Sequence, residues 1–295
     1  MKTRKLIALL LTLVMLTAVF SACATKTDTD TPGASPNESV TGGDNTGADA
    51  DTDADSNTGA SNAAADAIRA AGVLKIGCKE DVPNFGLLNT ATNEYEGFEI
   101  ELAKLIANDI FGDPAKVRFQ AVTAKTRGPL LDNGDVDMVI ATFTITEERK
   151  LSYNFSDPYY QDAVGMLVRR DSGIESIADC DGKTIGVAQS ATSKDAIQAA
   201  ADAAGVSVTF NEYGTYPEIQ AALNSGNVDV FCVDRSILRG YLSDDLVLTE
   251  DKFSPQDYGV TTKFENKELA DYVNGLINGW LDDGTIAALV EQFGL

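Results

Sequence analysis

The chain contains no histidine among its 295 residues, and it has one tryptophan and four cysteines. Without histidine, the usual zinc sites and the Ser-His-Asp and Cys-His nucleophile systems are excluded. No CxxC motif is present either. Most hydrolytic enzymes are therefore excluded, and we expect a protein without a metal or a cofactor.

Positive charge is also scarce. Lysine and arginine number 23 against 45 aspartate and glutamate residues, which gives a formal net charge of -22. This acidity argues against binding to nucleic acid or to anionic lipid headgroups.

Residues 1–22 have the pattern of an export signal, with basic residues, an apolar run from Leu6 to Phe20 and small residues before Cys23. The run is too short for a comfortable membrane span. The ending FSAC resembles the lipobox of bacterial lipoproteins, in which the cysteine is lipidated, although an ordinary secretory signal is the alternative. Residues 23–62 have almost no large apolar side chains and predict a disordered acidic tether. We therefore expect an extracytoplasmic protein anchored to the cell membrane by a lipid at Cys23.

The remaining chain alternates apolar runs with amphipathic segments. Typical buried strands are VLKIGC, VDMVIAT, KTIGVA and VDVFCVD, and helical spacing is present in GFEIELAKLIANDIF and TSKDAIQAAADAAG. Two runs of strand, helix, strand, helix, strand predict two α/β units with mainly parallel sheets. A helical stretch from Glu268 to Phe293 closes the chain.

One turn-and-strand unit occurs twice, as LLDNGDVDMVIATFTITEER from Leu130 and as ALNSGNVDVFCVDRSI from Ala222. The aligned pairs are Gly134 and Gly226, Val136 and Val228, Asp137 and Asp229, and Thr142 and Asp234. The two copies end in different polar chemistry, which indicates different tasks for matching positions in the two units.

Ligands of parallel α/β sheets collect beyond the carboxyl ends of the strands, so these loops hold the candidate binding residues. Thr142, Thr144 and Arg149 in ATFTITEER suit a carboxylate, although Arg149 also suits a surface acid. Thr192 begins a helix, where an anion or a simple cap is favoured. Asp234 suits an ammonium group. Together the two repeats offer both charges that a zwitterion needs.

The resemblance to a known family is carried by four motifs, GFEIELAKLIA, IATFTITEERKLSYNFSDPYY, DGKTIGVAQSAT and NVDVFCVDRSI. They look like the extracellular solute-binding proteins of family 3, which deliver amino acids to ABC importers. The resemblance implies an α/β, type II periplasmic-binding-protein fold of two lobes with two crossover strands as a hinge. Lobe 1 would contain residues 63–162 and 257–295, and lobe 2 residues 163–256. It further implies a monomer that closes on a free amino acid and works with an ABC permease in the membrane.

The resemblance also implies how the ligand's two α groups are held. Arg149 with the loop of Thr142 and Thr144 would bind the α-carboxylate, with Thr192 assisting from the second lobe. Asp234 would bind the α-ammonium.

The remaining implied contacts concern the ligand's side chain. Many relatives have an acidic residue where this chain has Lys79, and the variant with lysine resembles the branch that binds glutamate and aspartate. Arg127, in AVTAKTRGPLLDNG, would join Lys79 on a side-chain carboxylate. Tyr216 and Tyr258 are implied as further residues of the cleft.

Charge at the site favours the same ligand class. Three cationic candidates against Asp234 leave an excess of two positive charges, and charges a few ångströms apart interact by roughly 4 kcal/mol. A second carboxylate on the ligand matches this excess, so we predict an acidic amino acid, glutamate or aspartate. Neutral polar and basic amino acids are the alternatives, because Lys79 has possible partners within the chain. These are Glu80, Asp81 and Glu99.

Two other function classes are weighed against this one. A dehydratase of cyclic carboxylic acids, known among relatives with this fold, needs a positioned acid, for which Glu80 is the candidate. A sensory input domain is fused to a transmembrane helix and a signalling module, which the sequence does not show. We expect a binding protein and not an enzyme.

Overall fold

The computed structural model describes residues 62–295. The predicted export signal, the lipidation site at Cys23 and nearly all of the tether lie outside the described residues and stay predictions. Among the described residues, no helix is both long and apolar enough to cross a membrane.

The described chain alternates short strands and helices. The strands are β1 (Leu74–Cys78), β2 (Asp81–Val82), β3 (Gly86–Asn89), β4 (Glu94–Glu96), β5 (Val117–Ala121), β6 (Met138–Ile140), β7 (Tyr153–Phe155), β8 (Tyr160–Arg169), β9 (Thr184–Ala188), β10 (Thr209–Tyr213), β11 (Val230–Asp234), β12 (Leu246–Leu248), β13 (Phe253–Tyr258) and β14 (Thr261–Lys263). The helices are α1 (Ala63–Ala71), α2 (Phe98–Phe111), α3 (Arg127–Asp132), α4 (Glu147–Lys150), α5 (Ser193–Ala204), α6 (Tyr216–Asn224), α7 (Arg235–Arg239), α8 (Lys267–Asp282) and α9 (Thr285–Gln292).

The two larger sheets repeat one topology. The first has the order β5-β1-β6-β14-β7, and the second has β10-β9-β11-β8-β12 with β13 also paired to β8. The first three strands of each sheet are parallel, as predicted. The strands that follow are antiparallel, so both sheets are mixed. Each half therefore brings the carboxyl ends of its parallel strands to one edge.

Two crossover connections join the two larger sheets. One runs from β7 to β8 and the other from β13 to β14, and β8 pairs with β13 next to the crossings, with Tyr160 opposite Tyr258. Phe85 packs edge-on against both tyrosines, with ring centroids 5.2 and 6.0 Å away. The lobe boundaries predicted at 162/163 and 256/257 fall within β8 and β13 and stay predictions.

The duplicated sequence unit folds the same way in both halves. Gly134 and Gly226 both have left-handed backbone, at φ 77° and 76°, which suits glycine after a helix. The Asp137 carboxylate then accepts the backbone N–H of Lys75 at 2.8 Å, and Asp229 accepts that of Thr184 at 2.9 Å. Each aspartate thus ties its own strand to the start of the neighbouring parallel strand.

The end of the chain differs from the expectation of one helical stretch. It forms α8 and α9, separated at Gly284, whose φ of 84° favours glycine. Both helices contact elements of the first half of the molecule. Helix α8 contacts β14 of the first sheet, and α9 contacts α2. The assignment of the C-terminal residues to the first lobe stays a prediction.

Candidate functional site

The predicted binding loops meet where the two sheets approach each other. The Lys79 ammonium, after β1, lies 4.4 Å from the ring centroid of Tyr216 at the start of α6. Arg149 in α4 reaches the Ser190 carbonyl after β9, at 3.2 Å. The nine predicted site residues in this region are Lys79, Arg127, Thr142, Thr144, Arg149, Thr192, Tyr216, Asp234 and Tyr258. Their roles toward a ligand stay predictions.

Arg149 connects loops of the two halves. Its guanidinium donates to the Thr144 carbonyl at 2.7 Å and to the Ser190 carbonyl at 3.2 Å. The same group lies 4.9 Å from the ring centroid of Phe143. Burial, followed by the positive charge of Arg127, lowers the pKa of Arg149 to about 9. Among the described residues Arg149 has no salt bridge to an acid, so the surface-pair alternative is not observed.

Arg127 lies beneath the same aromatic ring. It begins α3, is 3% exposed and donates to the carbonyls of Ala141 and Thr142 at 2.8 and 3.0 Å. Its guanidinium carbon is 3.8 Å from the Phe143 centroid. Phe143 therefore holds two cations at the carboxyl end of β6 through cation–π contact. Burial lowers the pKa of Arg127 from its ordinary value.

Thr142 has unusual backbone geometry that a buried glutamate supports. Its φ is 46°, a left-handed conformation that is uncommon for threonine. The Glu99 carboxylate accepts the Thr142 N–H at 2.6 Å and the Tyr159 hydroxyl at 2.5 Å. Burial raises the pKa of Glu99 to about 7, opposed by these two bonds and by the charges of Lys79 and Arg127. Glu99 thus orients the backbone that follows β6.

Asp234 ends β11 and is 5% exposed. It accepts the Tyr258 hydroxyl at 2.5 Å. Burial raises the pKa of Asp234 to about 7, while the Tyr258 bond and the positive charges of Arg127 and Arg149 lower it. An additional cation near Asp234 would favour its ionised form.

Lys79 pairs within the chain. Its ammonium lies 3.8 Å from Asp81, and the other Asp81 oxygen accepts the Tyr216 N–H at 3.2 Å. The Asp81 carbonyl also accepts the Tyr241 hydroxyl. Burial lowers the pKa of Lys79 to about 8, and Asp81 opposes this effect. Of the three possible partners named from the sequence, Asp81 forms the salt bridge and Glu80 is exposed.

Thr144 and Thr192 share one acceptor. Both hydroxyls donate to Oε1 of Gln256, at 2.8 and 2.7 Å. Thr192 precedes α5, but its side chain makes no capping hydrogen bond, so the simple capping alternative is not observed.

The cluster has three basic side chains and three acidic ones. Its members are Lys79, Arg127 and Arg149 on one side, and Asp81, Glu99 and Asp234 on the other. With Asp234 as the single acid, the sequence predicts an excess of two positive charges. Asp81 and Glu99, two of the possible partners of Lys79 named from the sequence, also lie among the cations, so this count omitted two carboxyl groups.

Glu99 was named from the sequence as a possible partner of Lys79, but its bond to the Thr142 backbone was missed. Glu99 is completely buried on the face of α2 that also contains Leu102, Ala103 and Ile106. The four residues occupy positions i, i+3, i+4 and i+7 of one helix face. A single acidic residue in such an otherwise apolar pattern indicates an acid that is buried and has a partner. Gln256 had no such signal, because its partners come from distant parts of the chain.

The model of the bacterial extracellular solute-binding proteins, family 3, matches residues 74–295. The chain belongs to this family.

Three relatives with substantial identity are named as amino-acid-binding proteins. The chain is 36% identical over 230 residues to the ABC transporter glutamine-binding protein GlnH of Bacillus subtilis, covering 77% of this chain and 83% of GlnH. It is 37% identical to the glutamine-binding protein of Geobacillus stearothermophilus, covering 72% and 80%. It is 30% identical to the glutamate-binding protein GluB of Corynebacterium glutamicum, covering 75% and 78%.

A solved structure supports the fold. The solute receptor for L-cysteine of Neisseria gonorrhoeae matches with a TM-score of 0.71 and 27% identity, covering 78% of this chain and 92% of the receptor. The family 3 protein described here therefore has the predicted two-lobed, type II periplasmic-binding-protein fold. It is an amino-acid-binding solute-binding protein of the ABC type, and such proteins act outside the cytoplasm.

Proposed function

We propose that this protein captures an amino acid with a neutral, amide-bearing side chain, glutamine in the first place, and delivers it to an ABC permease. The acidic ligand expected from the sequence is the competing proposal. The two differ in the charge of the side chain that reaches the Lys79 region.

The α groups of the ligand would be held by the two matching strand ends. Arg149, with the loop of Thr142 and Thr144, supplies a cation and polar donors for the α-carboxylate. Asp234 supplies the carboxylate for the α-ammonium, and Thr192 contributes a hydroxyl from the second half. The mutual influence of Arg149 and Asp234 on their pKa values supports a location near one another.

One observation carries the choice of an amide. Within the described chain, three buried atoms of the cluster have no hydrogen-bond partner, namely Oδ1 of Asp81, Oε2 of Glu99 and Nε of Arg127. These are two acceptors and one donor. A carboxamide offers two N–H donors and one carbonyl acceptor, so a side-chain amide within reach of these atoms would complement them, whereas an ionised carboxylate offers no donor. Buried polar groups without partners are costly, so a ligand that satisfies them gains affinity.

Charge balance supports the same choice. The cluster holds three basic and three acidic side chains, and a zwitterion with a neutral side chain adds no net charge to it. A side-chain carboxylate would add one negative charge beside Asp81 and Glu99. Two relatives named for glutamine are 36% and 37% identical to this chain, and a relative named for glutamate is 30% identical.

We further infer that Cys23 carries a lipid that anchors the protein to the membrane. The sequence FSAC before a long polar segment supports this assignment. Labelling of cells with an alkyne fatty acid would mark the protein. The label should be lost in the variant Cys23→Ser, and retention of the label there would refute the assignment.

The amino-acid assignment is tested by a thermal-shift screen of the twenty amino acids, followed by calorimetry with glutamine and glutamate at pH 7. Glutamine should raise the melting temperature most, because a ligand that binds the folded state stabilises it by mass action. Tighter binding of glutamate than of glutamine would overturn the amide assignment. No shift with any amino acid would overturn the proposed function itself.

A further inference from the structure

Gln256 makes a connection that neither the sequence pattern nor the assigned site explains. It lies in β13, opposite Asp162 of β8 and two residues before the strand crosses to the first sheet. The residue is 1% exposed. Its side-chain carbonyl oxygen accepts two hydroxyls at once, from Thr144 at 2.8 Å and from Thr192 at 2.7 Å.

The two donors belong to different halves of the molecule. Thr144 follows β6 of the first sheet, and its neighbour Ile145 donates its backbone N–H to the Asp257 carbonyl at 2.7 Å. Thr192 follows β9 of the second sheet and immediately precedes α5. Because both hydroxyls converge on one oxygen, the position of one threonine constrains that of the other.

Helix α5 has a threonine at its N-cap position, but no side-chain hydrogen bond caps the helix. Thr192 is at the N-cap position but makes no side-chain bond to the helix, and the Ser193 hydroxyl is buried without a partner in the described chain. A side-chain cap ordinarily stabilises a helix. The Thr192 hydroxyl is instead engaged by Gln256, which is a connection across the molecule.

The orientation of the Gln256 amide is fixed on its other side. Its Nε2 donates to the Ser254 carbonyl at 3.1 Å. The carbonyl oxygen must therefore face the two threonines. Arg149 joins the same two segments in parallel, through the carbonyls of Thr144 and Ser190.

We propose that Gln256 is a positioning residue for lobe closure, whose carbonyl oxygen couples the ligand-facing loops of the two halves at the hinge. The proposal rests on the proposed function, in which Thr144 and Thr192 serve the ligand. Gln256 favours the closed arrangement by holding both hydroxyls together. A ligand that contacts both lobes then binds more tightly, because less of its binding free energy is spent on closure.

Two hydrogen bonds to a buried acceptor are removed by the variant Gln256→Leu. We expect amino-acid affinity to fall roughly 10- to 100-fold. The loss should appear mainly as faster dissociation, because the closed complex is the state that Gln256 stabilises. The matched control is Gln161→Leu. Gln161 is exposed on the neighbouring strand, where its amide contacts Asp257 at 3.1 Å, and this variant should bind as the wild type does.

A double-mutant cycle separates coupling from general damage to the fold. Thr144→Val and Thr192→Val each remove one hydroxyl and keep the shape of the side chain. With Gln256 present, their combined effect on affinity should deviate at least threefold from the product of the single effects. In the Gln256→Leu background the two effects should multiply. Equal coupling in both backgrounds, or no coupling with Gln256 present, would overturn the proposal.

The readouts distinguish this proposal from the proposed function. The probe is glutamine, or the amino acid that gives the largest thermal shift. If the wild type binds no amino acid, the proposed function fails. If the wild type and Gln256→Leu bind equally well, only the role of Gln256 fails. Should Gln256→Leu not fold, the cycle of the two threonine variants in the wild-type background still decides, since additivity there refutes the coupling.

Discussion

The substitution Asp81→Asn tests how this protein distinguishes an amide from a carboxylate. The change keeps the shape of the side chain and an acceptor oxygen for the Tyr216 N–H, which Asp81 accepts at 3.2 Å. It removes the negative charge that lies 3.8 Å from the Lys79 ammonium. The altered property is therefore the charge that Lys79 presents to a ligand.

The magnitude follows from the distance. Two unit charges about 4 Å apart near a protein surface interact by about 4 kcal/mol, which corresponds to about a thousandfold in affinity. Relaxation and water reduce this value, so we expect the ratio of glutamate to glutamine affinity to rise at least tenfold. A glutamate side chain would replace the missing charge beside Lys79, whereas glutamine could not.

The assay is calorimetric titration of both amino acids at pH 7 into the wild type and the variant. The matched control is Asp137→Asn, which removes the partner of Lys75 at 3.5 Å, at the opposite end of β1. The control should leave the ratio unchanged. An unchanged ratio in Asp81→Asn would refute the argument that Asp81 sets the charge preference of the site.

Three further outcomes are expected. Arg149→Ala should weaken amino-acid binding by about 2–5 kcal/mol in calorimetry, because it removes the cation that is proposed to pair with the ligand's α-carboxylate. Binding should strengthen as pH rises from 5 to about 7.5 and release protons at pH 6–7, because a bound ammonium lowers the pKa of Asp234 from about 7; Asp234→Asn should abolish this dependence. Gly97→Ala should destabilise the fold by more than about 2 kcal/mol in urea denaturation, because φ is 126° and the added Cβ would lie 2.3 Å from the Phe85 carbonyl.

Each of these outcomes has a control or a contrary result. Wild-type affinity in Arg149→Ala would remove Arg149 from the site. Proton release that persists in Asp234→Asn but disappears in Glu99→Gln would assign the titration to Glu99, whose pKa is also raised to about 7. Gly275→Ala, in α8 with open space around the added Cβ, should be neutral or stabilising. Equal stability of the two glycine variants would contradict the strain argument.

Much of the fold could be predicted because local signals agreed with each other. The parallel strands were visible as apolar runs, and the helices as periodic segments ended by glycine, as at Gly112 and Gly205. The strands β2, β3, β4, β7, β12 and β14 contain two to four residues each. Such short strands carry no periodicity and form only through pairing with distant residues. Helix α1 was also missed, because AAADAIRAA has one large apolar side chain, Ile68, and lies next to the polar tether.

The sequence identified candidate site residues where a polar side chain stands directly at the end of a strand. Thr142 and Asp234 were found because the sequence repeat aligns them. The charge count failed because it depends on tertiary contacts, in particular on the turn that brings Asp81 back to Lys79 and on the inward face of α2 that carries Glu99. A local sequence pattern does not indicate how many charged side chains come together in one buried cluster.

The most direct measurement is calorimetry of the wild type with glutamine and with two analogues that each lack one α group. The analogue without the α-ammonium is glutaramic acid, and the analogue without the α-carboxylate is 4-aminobutanamide. If Arg149 and Asp234 hold opposite poles of one amino acid, each analogue should bind at least about a hundredfold more weakly than glutamine. Binding of either analogue as tight as that of glutamine would contradict the central claim.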